Sequence, residues 1–229
     1  MGVARRNRGA ARGRTADRHT VGMEDAMGRP PKFRAAAWAT AAVLGALAGL
    51  ATWAANEVIV RFFGDAVRPR DLLFELLPYV RPARWLTVVA LVGSLGAFLW
   101  SVRRSLVAAV PAAGAAVAIL YLLRAGMIVL TPLAPAHGDG GFVFPQAQYG
   151  MFPSGHTALV TLLALLAPEG QRGLRRFAWA MVAFMVAGLV LARGHYAIDV
   201  VGGLLLAYFV ANVWRHGRLF APIGSVTGR

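Results

Sequence analysis

The chain of 229 residues has no cysteine. That removes disulfide frameworks, thiolate nucleophiles and Cys-based zinc sites, and it leaves the compartment unread by redox chemistry. Charge is scarce too: 15% of residues are charged, and 10 are acidic against 24 Lys and Arg. With 58% hydrophobic residues and a mean hydropathy of +0.57, the composition excludes a soluble domain of this size and fits a polytopic membrane protein. The net charge of +14 does not indicate a nucleic-acid partner. The basic residues cluster in the N-terminal tail and between apolar runs, as topology signals and anionic-lipid contacts do.

Residues 1–34 hold nine Lys/Arg among Gly, Ala and Thr and almost no large apolar residue before Phe33. They read as a disordered basic cytoplasmic tail. The apolar run that follows is too long for a secretory signal and lacks a clear cleavage site, and Met23 and Met27 allow a later start. Residues 35–215 then read as an all-α membrane domain of six transmembrane helices, and residues 216–229 as a basic cytoplasmic C-terminal tail. The expected spans are about 35–60, 85–102, 105–130, 155–167, 177–192 and 196–214. Between the first two lies Arg68-Pro-Arg-Asp-Leu-Leu-Phe-Glu-Leu-Leu-Pro78, which reads either as a short amphipathic helix on the membrane surface or as a loop with one helical turn. The fourth run gives only ~20 Å of helix against a ~30 Å hydrocarbon core.

Six spans place both termini on one side, together with seventeen Lys/Arg. The positive-inside rule makes that side cytoplasmic. The loops before the fourth and sixth spans then face outward, across what is expected to be the plasma (inner) membrane of a bacterium.

Those two loops carry the chemistry. In Tyr149-Gly-Met-Phe-Pro-Ser-Gly-His-Thr157, an uncharged loop enters an apolar helix. Ser154 can cap that helix, Gly155 can let a ligand approach the backbone, and the first-turn N–H groups suit a phosphate. The same tetrad also fits an ordinary turn with a capping His156. In Arg193-Gly-His-Tyr-Ala-Ile-Asp199, His195 and Asp199 are four apart and share a helix face. The carboxylate can therefore fix the imidazole tautomer and leave the other ring nitrogen as nucleophile or base. His156 suits a general acid, and Arg124 and Arg193 suit clamps on phosphate oxygens. Arg124 sits inside an apolar run, where an arginine is unfavourable unless it faces protein, water or an anion, or snorkels to the interface. Together these are the parts of a phosphoryl-transfer site that uses no metal or other cofactor. Two other readings stay open. His156, His195, Asp199 and His137 could ligate zinc, or the His–Asp pair could be structural in a non-catalytic lipid-binding or transport protein.

On Pro153-Ser-Gly-His-Thr157 and His195-Tyr-Ala-Ile-Asp199-Val, the chain resembles the type 2 phosphatidic acid phosphatase superfamily, and within it the sphingomyelin synthase-like branch. The resemblance covers most of residues 35–214. It implies His195 as the phosphorylated nucleophile, Asp199 as its orienting carboxylate, His156 as the donor to the leaving group, and Ser154 and Gly155 as phosphate-binding groups. It implies a lipid phosphoester as substrate, with water or a lipid alcohol as acceptor. The chain also departs from the pattern. Phosphatase members carry an Arg six positions before the nucleophile, where Leu189 stands here, and Arg193 lies two before. Arg124 with Thr131-Pro132 resembles the first motif of the synthases, as the 68–78 segment resembles their Pro- and Asp-containing stretch. The Cys-Gly-Asp that often precedes the synthase serine motif is replaced by Tyr149-Gly150-Met151.

Overall fold

The computed structural model describes residues 31–136, 150–168, 170–216 and 223. The expected N-terminal tail up to residue 30, the loop from 137 to 149 with His137, and the C-terminal tail apart from residues 216 and 223 lie outside the described residues. The described chain is all-α: α1 (Pro31–Phe62), α2 (Leu72–Leu76), a 3-10 turn (Arg81–Ala83), α3 (Arg84–Ser101), α4 (Leu106–Leu130), α5 (Gly155–Leu166), α6 (Arg172–Leu191) and α7 (Ala197–His216). Among the described residues the only extended pairing is one isolated bridge between Leu133 and Gly150.

The long helices follow the apolar runs, and five of them, α1, α3, α4, α6 and α7, are long and apolar enough to cross a membrane. Helix α5, expected as the fourth of six spans, is not among these five. Its 12 residues make about 18 Å, against a hydrocarbon core of about 30 Å. Two other boundaries move outward. Helix α6 starts at Arg172 rather than near Phe177 and takes in Arg175 and Arg176, whose exposed side chains can reach the polar interface. Helix α1 likewise starts at Pro31, where the missing N–H of proline does no harm in a first turn. The 68–78 segment resolves into a helix of five residues, capped by the Asp71 carboxylate on the Leu73 N–H at 2.8 Å. It stops before Pro78, because the residue preceding a proline avoids the helical region.

The shortest helix is the central one. Helix α5 packs on α7 and α6 and also touches α3 and α4, whereas α1 lies along α4 at the periphery. Accordingly Thr157, Ala158, Val160 and Leu162 of α5 are fully buried, while α1 turns Trp38, Leu50 and Trp53 outward. One apolar cluster joins α4, α5 and α7 through Ala115, Leu120, Ala158, Leu162, Ala207 and Val210. A second joins α3, α5 and α6 through Ala90, Val160, Met181, Met185 and Leu189. Small residues recur in both, as close packing in a membrane requires, since lipid supplies no hydrophobic drive between helices.

Helices α5 and α7 run side by side in the same direction. At one end the Ser154 N–H donates to the Asp199 carbonyl at 2.9 Å. At the other, Arg215 of α7 donates to the Leu165 carbonyl of α5, and Gln171 donates to the Ser101 carbonyl at 3.0 Å. The start of α5 and the start of α7 therefore share one end of the bundle.

Candidate active site

The turn into α5 is held from three directions. Ser154 is fully buried, and its Oγ accepts from the Thr157 N–H at 3.3 Å and from the Thr157 hydroxyl at 3.1 Å. This is the N-cap expected from sequence. Arg124 of α4 donates from Nε to the Pro153 carbonyl at 2.8 Å and from Nη2 to the Gly150 carbonyl at 2.6 Å. The intramembrane arginine thus meets two carbonyls of an irregular backbone that would otherwise lack donors.

Gly155 proves to serve a neighbour rather than an open face. A Cβ there would stand 3.1 Å from Arg124 Nε and 3.3 Å from Tyr121 Cε1, so the missing side chain is what lets the arginine lie against the turn. Tyr121, one helical turn before Arg124, adds a hydrogen bond from its hydroxyl to the Gly155 carbonyl at 3.4 Å.

The turn into α7 holds the second motif. His195 is 5% exposed and Asp199 fully buried, with His195 Nδ1 3.2 Å from Asp199 Oδ2. The carboxylate also accepts the Tyr196 N–H at 3.0 Å through the same oxygen. An ionised carboxylate can only accept, so this contact puts the proton on Nδ1 and leaves the Nε2 lone pair of a neutral imidazole for chemistry. Asp199 Oδ1 is buried with no protein partner.

The two turns meet because α7 carries Gly202 and Gly203 one turn past Asp199. A Cβ on Gly203 would stand 2.6 Å from the Ser154 carbonyl oxygen and 3.0 Å from Thr157 Cβ. That approach brings the imidazoles of His156 and His195 to a centroid separation of 6.1 Å, edge to face.

Arg193, expected as a phosphate clamp, is turned toward α2. Its Nη2 donates to the Phe74 carbonyl at 2.9 Å, and the guanidinium lies over the rings of Phe74 and Tyr79, at 5.6 and 5.7 Å. Its Nε is buried without a partner. The structure therefore gathers His156, His195, Asp199, Ser154, Gly155 and Arg124 at one place, with Arg193 on the outer flank. Among the described residues no three His, Asp or Glu side chains form a group that could hold a metal ion. Three further participants escaped the sequence reading. Tyr121 had a usable signal, its place one turn before Arg124 on the same face. Asp71 had one as well, an Asp directly before an apolar helical run. Gly203 had none beyond being one of many glycines.

A cavity of about 560 Å³ lies between α1 and α4, lined by Gly49, Thr52, Asn56, Gly114 and Tyr121 among others. It backs onto the α5 turn, since Tyr121 bonds Gly155 and Asn56 Oδ1 comes within 2.5 Å of where a Gly150 Cβ would sit.

Fold and site together define a membrane-embedded bundle with a His–His–Asp constellation at one end, a class suited to transfer of a group through a nucleophilic imidazole. Residues 112–221 match the model of the PAP2 superfamily, a stretch that runs from α4 through α7 and contains both motif turns. No curated protein matches the chain.

Proposed function

We propose that the protein is a lipid phosphoesterase or headgroup phosphotransferase of the membrane, working through a phosphohistidine on the extracytoplasmic face. The observation that carries this reading is the facing pair of imidazoles 6.1 Å apart, one of them fixed through Nδ1 by a buried carboxylate. A phosphorus placed between them can meet a nucleophile on one side and a proton donor on the other. His195 Nε2 attacks phosphorus, the ester P–O bond breaks, and the departing alkoxide takes a proton from His156. An acceptor hydroxyl then gives its proton to His156 and attacks phosphorus, and the N–P bond breaks. Asp199 supports the positive charge that develops on His195. The N–H groups of the first turn of α5 offer donors to the phosphoryl oxygens. Counting α5 as a short sixth crossing beside the five long helices, both turns face outward and the termini lie in the cytoplasm, as the charge distribution of the loops favours. The cavity beside Tyr121 suits the apolar part of a lipid whose headgroup sits at the turn.

The acceptor decides between two activities. A phosphodiester carries one negative charge and a phosphomonoester near pH 7 almost two. Arg124 has two of its donors engaged by backbone carbonyls and Arg193 one, which favours the singly charged diester and transfer to a lipid alcohol, as in sphingomyelin synthases. The match to the PAP2 superfamily favours the second reading, a phosphatase that releases inorganic phosphate to water. Radiolabelled phosphatidate and phosphatidylcholine, each with and without ceramide or diacylglycerol, separate the two. Headgroup transfer from the diester is the expected result. Rapid phosphate release from the monoester without transfer would make the protein a phosphatase, and binding without any turnover would make it a carrier. For topology, single cysteines introduced at Asp65 and Arg175 should label from opposite faces of intact cells. Labelling of position 175 alone by an impermeant reagent would invert the orientation.

A further inference from the structure

Helix α7 starts without a capping side chain of its own. Tyr196 precedes its first residue, and the Tyr196 hydroxyl is engaged with the Ala134 carbonyl at 3.2 Å. Asp199, in the first turn of α7, reaches back to the Tyr196 N–H, which is one half of a capping box. The other half, an acceptor for the orphan N–H groups of the first turn, comes from outside the helix: Asp71 Oδ2 accepts the Ala197 N–H. The other oxygen of that carboxylate caps α2 at the Leu73 N–H. One side chain therefore caps two helices, the second of which starts 126 residues after it in sequence.

The remaining contacts of this segment point the same way. Val80 N–H donates to the Leu191 carbonyl at 2.9 Å, Arg193 donates to the Phe74 carbonyl, and the Phe74 ring packs on Tyr196 at 5.8 Å. Residues 71–80 thus lie as a strap across residues 191–197, the turn that delivers His195. Within that turn Arg193 has a φ of 49°, a left-handed backbone that a residue with a Cβ adopts only when its surroundings impose it. Its guanidinium, held against α2 between Phe74 and Tyr79, is part of that imposition.

Resting on the function proposed above, we infer that Asp71 is a positioning residue for that reaction. By capping α7 from the strap it fixes Tyr196 and Asp199, and through the shared Asp199 oxygen it fixes the direction of the His195 imidazole. It touches neither substrate nor the reacting nitrogen. Its removal should therefore lower the rate of the chemical step and leave substrate binding alone.

The discriminating substitution is Asp71→Ser in the full-length protein in lipid nanodiscs. Serine still caps α2 locally, but its shorter side chain, with one oxygen, cannot serve Ala197 as well. Hydrogen exchange over residues 194–200 should then quicken by about 10-fold, and kcat should fall by roughly 10- to 100-fold with KM within about twofold, the scale of a displaced catalytic group. Asp71→Ala should show the same exchange and at least the same loss of kcat, with lower thermal stability from the lost α2 cap. Unchanged exchange in Asp71→Ser would overturn the strap. Faster exchange with unchanged kcat, or a raised KM at unchanged kcat, would overturn the positioning role. If unsubstituted protein turns over no lipid phosphoester, the functional reading fails and takes the positioning role with it, whereas full turnover in both it and Asp71→Ser removes the positioning role alone.

Discussion

The two motif turns start parallel helices at the same end of the bundle, yet they are braced by opposite means. The turn before α5 is held from inside the membrane by a cation, Arg124, which donates to two backbone carbonyls. The turn before α7 is held chiefly by anions, Asp199 within it and Asp71 from the 71–80 strap, which accept N–H groups and the Nδ1–H of the imidazole, with Arg193 tying it to α2. The difference follows from what each backbone leaves unpaired. The irregular stretch entering α5 presents carbonyls, whereas a helix start presents N–H groups. Of the two histidines, His195 is the one with a carboxylate on Nδ1, which is what the nucleophile role proposed for it requires.

The sharpest way to break that comparison is to remove each side of the His195–Asp199 pair. His195→Ala should abolish both turnover and acid-labile phosphate labelling of the protein. Asp199→Asn should fold and bind lipid but lose about 10²-fold or more in kcat, because the imidazole loses its tautomer control and charge support. Full activity in either variant would reverse the roles given to the two turns.

Next in size is the contact that lets the turns face each other. Gly203→Leu puts a Cβ 2.6 Å from the Ser154 carbonyl oxygen, and α5 and α7 must separate. A destabilisation of about 1–3 kcal/mol is expected from thermal unfolding in detergent. Because the two histidines would move apart, kcat should fall even at temperatures where the variant is fully folded. A destabilised variant with unaltered kcat would mean that the imidazole separation does not matter.

The sequence shows unequal amounts of these features. Apolar runs mark α3, α4 and α5 to within a residue or two, because hydropathy responds directly to what lipid and core demand. The starts of α1 and α6 were hidden, since Pro31 and Arg172 to Arg176 look like loop by composition although the backbone is already helical there. The His195–Asp199 pairing was legible because an i,i+4 spacing is a local property of a helix. The bonds of Arg124 to residues 26 and 29 positions away, and of Asp71 to Ala197, depend on tertiary packing and leave no periodic trace. For the same reason the place of Arg193 two residues before His195 says nothing about which way its guanidinium turns, here toward Phe74 and Tyr79.

Arg124→Lys sharpens the comparison from the other side. Lysine keeps the charge, but it is a point donor and cannot serve two carbonyls with the fixed fork of a guanidinium. If Arg124 is mainly a brace, kcat should drop by about 10- to 100-fold, on the scale of about 1.5–3 kcal/mol for a hydrogen bond to a charged group, with a parallel loss of thermal stability. If its main role is to neutralise phosphate, Arg124→Lys should stay active, and Arg124→Gln should fail chiefly by raising KM.

The smallest effect is expected at the Glu57–Arg61 pair near the C-terminal end of α1. Its atoms are 3.8 Å apart, and the side chains are 44% and 74% exposed. An exposed i,i+4 pair of this kind contributes about 0.3–0.5 kcal/mol. Arg61 is also one of the five arginines from the end of α1 to the start of α3, with Arg68, Arg70, Arg81 and Arg84, so it tests whether the cations of that stretch serve the site in place of Arg124 and Arg193. The bracing account says they do not, because every polar group tied to the two turns is partly or fully buried and Arg61 is neither buried nor bonded to them. Arg61→Ala should therefore leave thermal stability within about 0.5 kcal/mol and turnover of both phosphomonoester and phosphodiester lipids within twofold. A selective loss of monoester turnover in Arg61→Ala would show instead that the surface charge of this stretch, and not the buried bracing, sets which phosphate the site accepts.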